Sequence, residues 1–157
     1  DKPYFGICLG MQVAVIEAAR SLSALERANS REFDPDGDEC VIDLMDEQRN
    51  ITAKGGTMRL GSYPCRIVPG TLLHKLYGGD MVSERHRHRY EVSPLFRERI
   101  AGSGILFSGV SPDGKLVEAM ENPSCTFFIG VQSHPEFKSR PNRVHPLFDG
   151  FIKAALL

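Results

Sequence analysis

The apolar positions of this chain change period several times, and each change marks an element. Tyr4 to Cys8 is a short apolar run and reads as a buried strand. From Gly10 the pattern turns helical, with Met11, Val15, Ala18, Ala19 and Leu22 recurring every three or four residues up to about Leu25. Val41 to Met45 is a second strand, followed by a polar loop from Asp46 to Gly56. Cys65 to Val68 and Met81 to Val92 are expected as strands, with a short helix from Thr71 to Tyr77 between them. Pro94 to Ile100 reads as a helix with proline at its start. Ile105 to Val110 and Leu116 to Met120 flank the turn Pro112-Asp113-Gly114, a hairpin signature. Thr126 to Gln132 is a strongly apolar strand. His145 to Leu157 closes the chain as an amphipathic helix, with Leu147, Phe148, Phe151, Ile152 and Ala155 on one side. Helices alternating with buried strands predict an α/β fold.

Composition narrows the picture. The 157 residues suit one domain, and 41% hydrophobic with 25% charged residues suits a packed, water-facing one. A net charge of −1 offers no single-signed field for nucleic acid or a membrane surface. The four cysteines, Cys8, Cys40, Cys65 and Cys125, form no C-x-x-C pair and no zinc-like spacing. No metal is expected, and free thiols suit a reducing compartment such as the cytoplasm. The first strand follows Asp1 within a few residues, so further strands of the sheet are expected upstream of it.

Two segments carry chemistry. Gly6-Ile7-Cys8-Leu9-Gly10 is G-x-C-x-G at a strand-to-helix junction, the thiol counterpart of a nucleophile elbow. Small residues two before and two after relieve crowding in such a turn, and the helix start behind the sulfur favours thiolate. A structural cysteine in a glycine-flanked turn is the plainer alternative. Ser133-His134-Pro135-Glu136-Phe137 directly follows the apolar strand. Extended backbone would put His134 and Glu136 on one side, and Pro135 disfavours the helical region for His134. A base with its orienting carboxylate at a strand end completes a Cys–His–Glu set suited to acyl transfer from an amide. Leu9 N–H would serve as an oxyanion donor.

The run Gly6-Ile7-Cys8-Leu9-Gly10-Met11-Gln12 with the later His134-Pro135-Glu136 resembles the class I glutamine amidotransferases. Asn29 to Phe33, Gly55 to Gly61, Glu84 to Glu91 and His145 to Phe148 are similar, within that class, to the glutaminase domains of CTP synthases. The resemblance runs from Pro3 to about Ala155. It implies a flavodoxin-like, mostly parallel sheet flanked by helices, with an added β-hairpin region, so that residues 1–157 form the C-terminal part of a glutamine amidotransferase domain. It implies Cys8, His134 and Glu136 as catalytic residues, and Leu9, Gly10, Met11, Gln12, Glu32 and Arg89 as the glutamine site. Glu32 suits the substrate's ammonium and Arg89 its carboxylate. Ammonia would pass to a separate synthetase domain that uses ATP and Mg2+ to aminate UTP to CTP. Homo-oligomers would form through that domain, and no cofactor is expected in this one. The resemblance also places a second oxyanion donor, a glycine, upstream of Asp1. The family's lid tied to activation by GTP corresponds here to a short loop before Gly55.

The Arg- and His-rich run Glu84 to Glu91 invites a nucleic-acid reading, but its flanking acids point to a local ion-pair network in which Arg85 and Arg87 pair structurally. Two other readings stay open on sequence. One is a different Cys–His–Glu enzyme of the same fold, such as a γ-glutamyl hydrolase or the glutaminase of another synthetase. The other is a regulatory or assembly module that keeps the fold without the chemistry.

Overall fold

The computed structural model describes residues 2–44 and 58–157; the polar loop expected from Asp46 to Gly56 and the end of the expected strand at Met45 lie outside the described residues. In chain order the elements among the described residues are β1 (Tyr4–Ile7), α1 (Leu9–Leu22), β2 (Asn29–Ser30), β3 (Cys40–Asp43), β4 (Arg59–Ile67), α2 (Leu72–Tyr77), β5 (Met81–His88), β6 (Glu91–Val92), α3 (Pro94–Ala101), β7 (Leu106–Val110), β8 (Val117–Glu121), β9 (Phe128–Val131) and α4 (Pro146–Ala155), with a 3-10 turn at Pro135–Phe137.

The strands form a six-stranded sheet in the order β1-β9-β8-β7-β4-β5 and a small one in the order β2-β3-β6. The α/β class holds, but the expected mostly parallel sheet is corrected in its proportions. Among the described residues β1–β9 and β2–β3 pair in parallel, and the other pairings are antiparallel. The reason is connection length. β7 and β8 are joined by a tight turn and β8 and β9 by a short loop, and short links allow only antiparallel neighbours.

Two expected strands change extent. The strand expected from Cys65 begins at Arg59, because Arg59 through Arg66 pair antiparallel with His88 through Met81. The single strand expected from Met81 to Val92 is split. It leaves the large sheet after His88 and re-enters the small one at Glu91, where Ile42 pairs with Val92 and Asp43 with Glu91. The large sheet curls, so that its β5 edge returns toward the residues after β9. The His134 N–H donates to the Arg85 carbonyl at 2.8 Å, and Lys138 reaches the Ser83 carbonyl and the Glu84 carboxylate.

The core has two halves. Met11, Val15, Ala19, Ile42, Ile100 and Met120 pack α1 and the small sheet onto one side of the large sheet. Ile67, Leu73, Phe127, Ile129 and Leu147 hold α2 and α4 against the other. Local signals set the helix ends. Thr71 caps α2 by accepting from His74 N–H at 3.0 Å, Gly78 ends it in the left-handed region with φ of 72°, and the His145 ring caps α4 through Leu147 N–H.

Candidate active site

β1 and β9 are parallel neighbours, with Ile7 opposite Val131, so both strands deliver the chain to the same edge of the sheet. Cys8 is the first residue beyond β1, and its N–H donates to the Val131 carbonyl at 2.8 Å. Its backbone sits at φ 52° and ψ −104°, a positive φ that a residue with a side chain rarely adopts. Strain at the junction of strand and helix turns the thiol out of the sheet.

The two flanking glycines are not equivalent. A Cβ on Gly6 would come within 2.8 Å of Gly10 C, 2.9 Å of Gly10 O and 2.9 Å of Met11 N, all backbone atoms. A Cβ on Gly10 would meet only the Tyr4 hydroxyl, at 3.8 Å. Gly6 is therefore required by the close crossing of β1 and α1. The expectation that position 10 must also be small for steric reasons is corrected: its role is its carbonyl, which accepts from Tyr4 O–H at 2.8 Å.

His134 follows β9 by three residues. Its Nδ1 lies 2.6 Å from Glu136 Oε1, and Phe137 stacks on its ring with centroids 5.0 Å apart. The expected juxtaposition is present, but its geometry is corrected. His134 avoids the helical region but stops short of fully extended backbone, with φ −114° and ψ 81°, and Pro135 to Phe137 form a 3-10 turn that proline starts readily. The turn, not a continuing strand, brings the carboxylate back to the imidazole. His134 Nε2 is buried and has no hydrogen-bond partner among the described residues. A neutral ring that donates a hydrogen bond from Nδ1–H to a carboxylate leaves Nε2 as an acceptor.

Burial raises the Cys8 thiol above its ordinary range, and the charges of Glu136 and Glu91 raise it further; the Leu9 N–H and the Gln132 amide act in the opposite direction. The Leu9 N–H at the helix start acts in the expected direction, and burial outweighs it.

Of the two amides behind the sulfur, Gln12 belongs to the motif and is expected at the glutamine site, while Gln132 was not legible in it. Gln132, fully buried, points its Nε2 at Cys8 Sγ across 3.6 Å and accepts at Oε1 from Gln12 Nε2 at 3.1 Å. Gln12 Nε2 also donates to the Tyr90 carbonyl at 3.0 Å. A single polar side chain ending the apolar run Phe127 to Val131, two residues before His134, was the available signal. Leu9 is exposed at the helix start, and the Met11 side chain is fully buried beneath Gly130.

Glu32 and Arg89 make no hydrogen bond to Cys8, His134 or Glu136 among the described residues, but the small sheet brings them to one edge. β2 runs parallel to β3 and β6 antiparallel to it. The exit of β2, which leads to exposed Glu32, therefore lies beside the entry to β6, which follows half-buried Arg89. Two strand spacings separate them, on the order of 10 Å. Tyr90, next to Arg89, is the residue whose carbonyl Gln12 holds.

Beneath this edge lies a buried charge cluster that includes part of the Glu84 to Glu91 run. Arg59 bonds Glu118 at 2.8 Å and Glu91 at 3.1 Å, and stacks over Tyr63 at 4.5 Å. His86 Nδ1 and His88 Nε2 are 2.8 Å apart. Burial, then the Arg59 charge, holds both imidazoles down to about 3. Burial pushes Glu91 up to about 8, against the pull of Arg59. Glu84 binds His145 at 3.0 Å and Lys138 at 3.2 Å, which keep it below the ordinary carboxylate range despite burial. The expected pairing of Arg85 and Arg87 with these acids is corrected. Side chains alternate along β5, so Glu84, His86 and His88 point inward while Arg85 and Arg87 stay exposed, without ion-pair partners among the described residues. Among the described residues no cluster of His, Cys, Asp or Glu is arranged to hold a metal, and no helix is long and apolar enough to cross a membrane.

Comparison with known proteins agrees with this geometry. Residues 1–154 match the family model of class I glutamine amidotransferases. The chain is 57% identical over 154 residues to a CTP synthase of Carboxydothermus hydrogenoformans and 59% identical over 154 residues to one of Rubrobacter xylanophilus. These matches take in 98% of this chain but only 29% and 28% of those proteins. Among solved structures, the glutaminase domain of the Trypanosoma brucei CTP synthase with bound acivicin superimposes with a TM-score of 0.91 at 42% identity, covering 98% of this chain and 60% of that one.

Proposed function

The chain belongs to the class I glutamine amidotransferases, and from that premise we propose that it is the glutamine-hydrolysing part of a CTP synthase, with Cys8, His134 and Glu136 as its catalytic residues. The observation that carries the reading is the shared end of the paired strands β1 and β9: a thiol on a strained elbow follows the one, and a histidine oriented by its own carboxylate follows the other three residues on.

In this reading glutamine lies with its side-chain amide at Cys8 and its amino-acid end toward Glu32 and Arg89. His134 Nε2 takes the thiol proton as the sulfur attacks the amide carbon. The Leu9 N–H donates to the developing oxyanion. The imidazolium, stabilised by Glu136, then protonates the leaving nitrogen, and ammonia departs from a thioester. His134 next activates water, which releases glutamate and restores the thiol. The ammonia serves a synthetase domain that consumes ATP with Mg2+ and converts UTP to CTP. Acivicin bound to the similar glutaminase domain is a glutamine analogue and supports the substrate assignment.

The test uses the full-length protein. With UTP, ATP and Mg2+, Cys8→Ala should lose glutamine-dependent CTP formation and retain formation from ammonia. Loss of both in a folded variant, or a wild-type protein that leaves glutamine intact, would overturn the reading.

A further inference from the structure

We propose that Gln132 is a positioning residue that donates its amide N–H to the Cys8 sulfur, and that Gln12 locks the amide in the donating orientation. The inference rests on the glutaminase reading for its catalytic meaning. The contact itself follows from which atoms on this path donate and which accept.

The path begins at the Tyr90 carbonyl, which can only accept. The group facing it at 3.0 Å must therefore be the NH2 of Gln12 rather than its oxygen. That same nitrogen lies 3.1 Å from the Gln132 amide, so the atom of Gln132 it meets must be an acceptor, the oxygen. Turning Gln132 over would set two NH2 groups against each other. The NH2 of Gln132 is left to face Cys8, 3.6 Å from Sγ. Gln132 has no freedom to leave. Its side chain is fully buried, and its backbone N–H is held by the Glu118 carbonyl at 2.9 Å. Three residues, on α1, just past β9 and on the link between β5 and β6, thus fix the direction of a single N–H.

A donor aimed at sulfur binds thiolate more strongly than thiol, because the charged acceptor makes the stronger bond. The sulfur stands in an environment that otherwise resists charge: it is partly buried, and the carboxylates of Glu136 and Glu91 act on it. With the Leu9 N–H, Gln132 supplies the opposing stabilisation. The contact also restrains the sulfur in one direction, which leaves its other side for His134 and the substrate.

The experiment is the pH dependence of Cys8 carboxamidomethylation by iodoacetamide in the full-length protein, read by peptide mapping. It requires no glutamine. In Gln132→Met, which keeps length and removes the donor, the midpoint should rise by about one pH unit, and in Gln132→Glu by more. In Gln12→Leu, which leaves Gln132 free to turn, it should rise by less. The acid limb of the glutaminase kcat/KM profile should move in the same order. A folded Gln132→Met that labels with the wild-type pH profile overturns the assignment. If Gln132→Met does not fold, Gln12→Leu decides the matter in the same way. If wild type hydrolyses no glutamine, the glutaminase reading falls, while the labelling still decides whether Gln132 holds the sulfur.

Discussion

His134 Nδ1 and Glu136 Oε1 stand 2.6 Å apart with only Pro135 between the two residues. The carboxylate is delivered by a one-turn 3-10 helix, so its position depends on a rigid ring and not on a flexible connection. Glu136→Gln preserves shape but removes the charge that stabilises an imidazolium and permits the wrong tautomer. Glutaminase kcat is expected to fall by about two to four orders of magnitude, with a much smaller change in KM. Steady-state kinetics on the full-length protein check this. A loss confined to KM would assign Glu136 to substrate binding.

Gly6 and Gly10 should respond in opposite ways to the same substitution. Gly6→Ala drives a methyl group into three backbone atoms at 2.8 to 2.9 Å, and such overpacking costs roughly 1–3 kcal/mol. Gly10→Ala meets only the Tyr4 hydroxyl at 3.8 Å, in a helix where alanine is favoured by roughly 0.5–1 kcal/mol. Urea denaturation of both variants separates them. Equal destabilisation would mean that the crossing of β1 and α1 is looser than its geometry indicates.

Glu32 and Arg89 are expected to act on binding alone. A hydrogen bond from an exposed carboxylate to a charged substrate group is worth about 1.5–3 kcal/mol. Glu32→Ala should lower kcat/KM for glutamine by roughly one to two orders of magnitude, at ~1.4 kcal/mol per tenfold. Arg89→Ala should lower it less where backbone donors share the carboxylate. An uncharged ester that acylates Cys8 should be turned over nearly as well by both variants as by wild type. Equal losses on both substrates would place these residues in support of the fold.

The buried histidines link folding to acid. His86 and His88 are held down to about 3 in the fold against an ordinary 6.5, so their contribution is complete above pH 6.5 and is lost as pH falls from there toward 3. Glu91, pushed up to about 8 from 4.5, works with the opposite sign: its contribution is complete below pH 4.5 and is lost as pH rises through 8. Replacing His88 by Gln should flatten the acid side of the stability curve, between pH 6 and 4, by about 1.4 kcal/mol per pH unit, the value of one proton. Denaturation midpoints measured across pH give the slope. An unchanged slope would mean that His88 is protonated in the folded chain.

The sequence exposed the elements whose signals are local. The elbow, the hairpin around Pro112-Asp113-Gly114, the capped α2 and the apolar β9 all follow from short-range periodicity and turn chemistry. It was silent where partners are distant. β4 starts six residues before its expected first residue because His88 and Arg87 pair with Arg59 and Leu60, and no property of the β4 segment alone reports this. The break between β5 and β6 has the same origin, since Val92 pairs with Ile42 in the other sheet. In the site, the residues of the motifs were visible and their supports were not. Gln132 and Arg59 matter through contacts with residues 120 and 59 positions away, Gln12 and Glu118.

The strained backbone at Cys8 belongs to the position and not to the sulfur. Its φ of 52° is imposed by the crossing at Gly6 and by the bond to Val131, so alanine or serine placed there inherits the same conformation. Such variants are therefore faithful controls: what they lose is reactivity, with the architecture unaltered. Glycine alone would relax the turn. In the proposed reading the chain holds its nucleophile at a place where the inert residue would be the more comfortable occupant, and any drift toward a sturdier fold at this point leads away from activity.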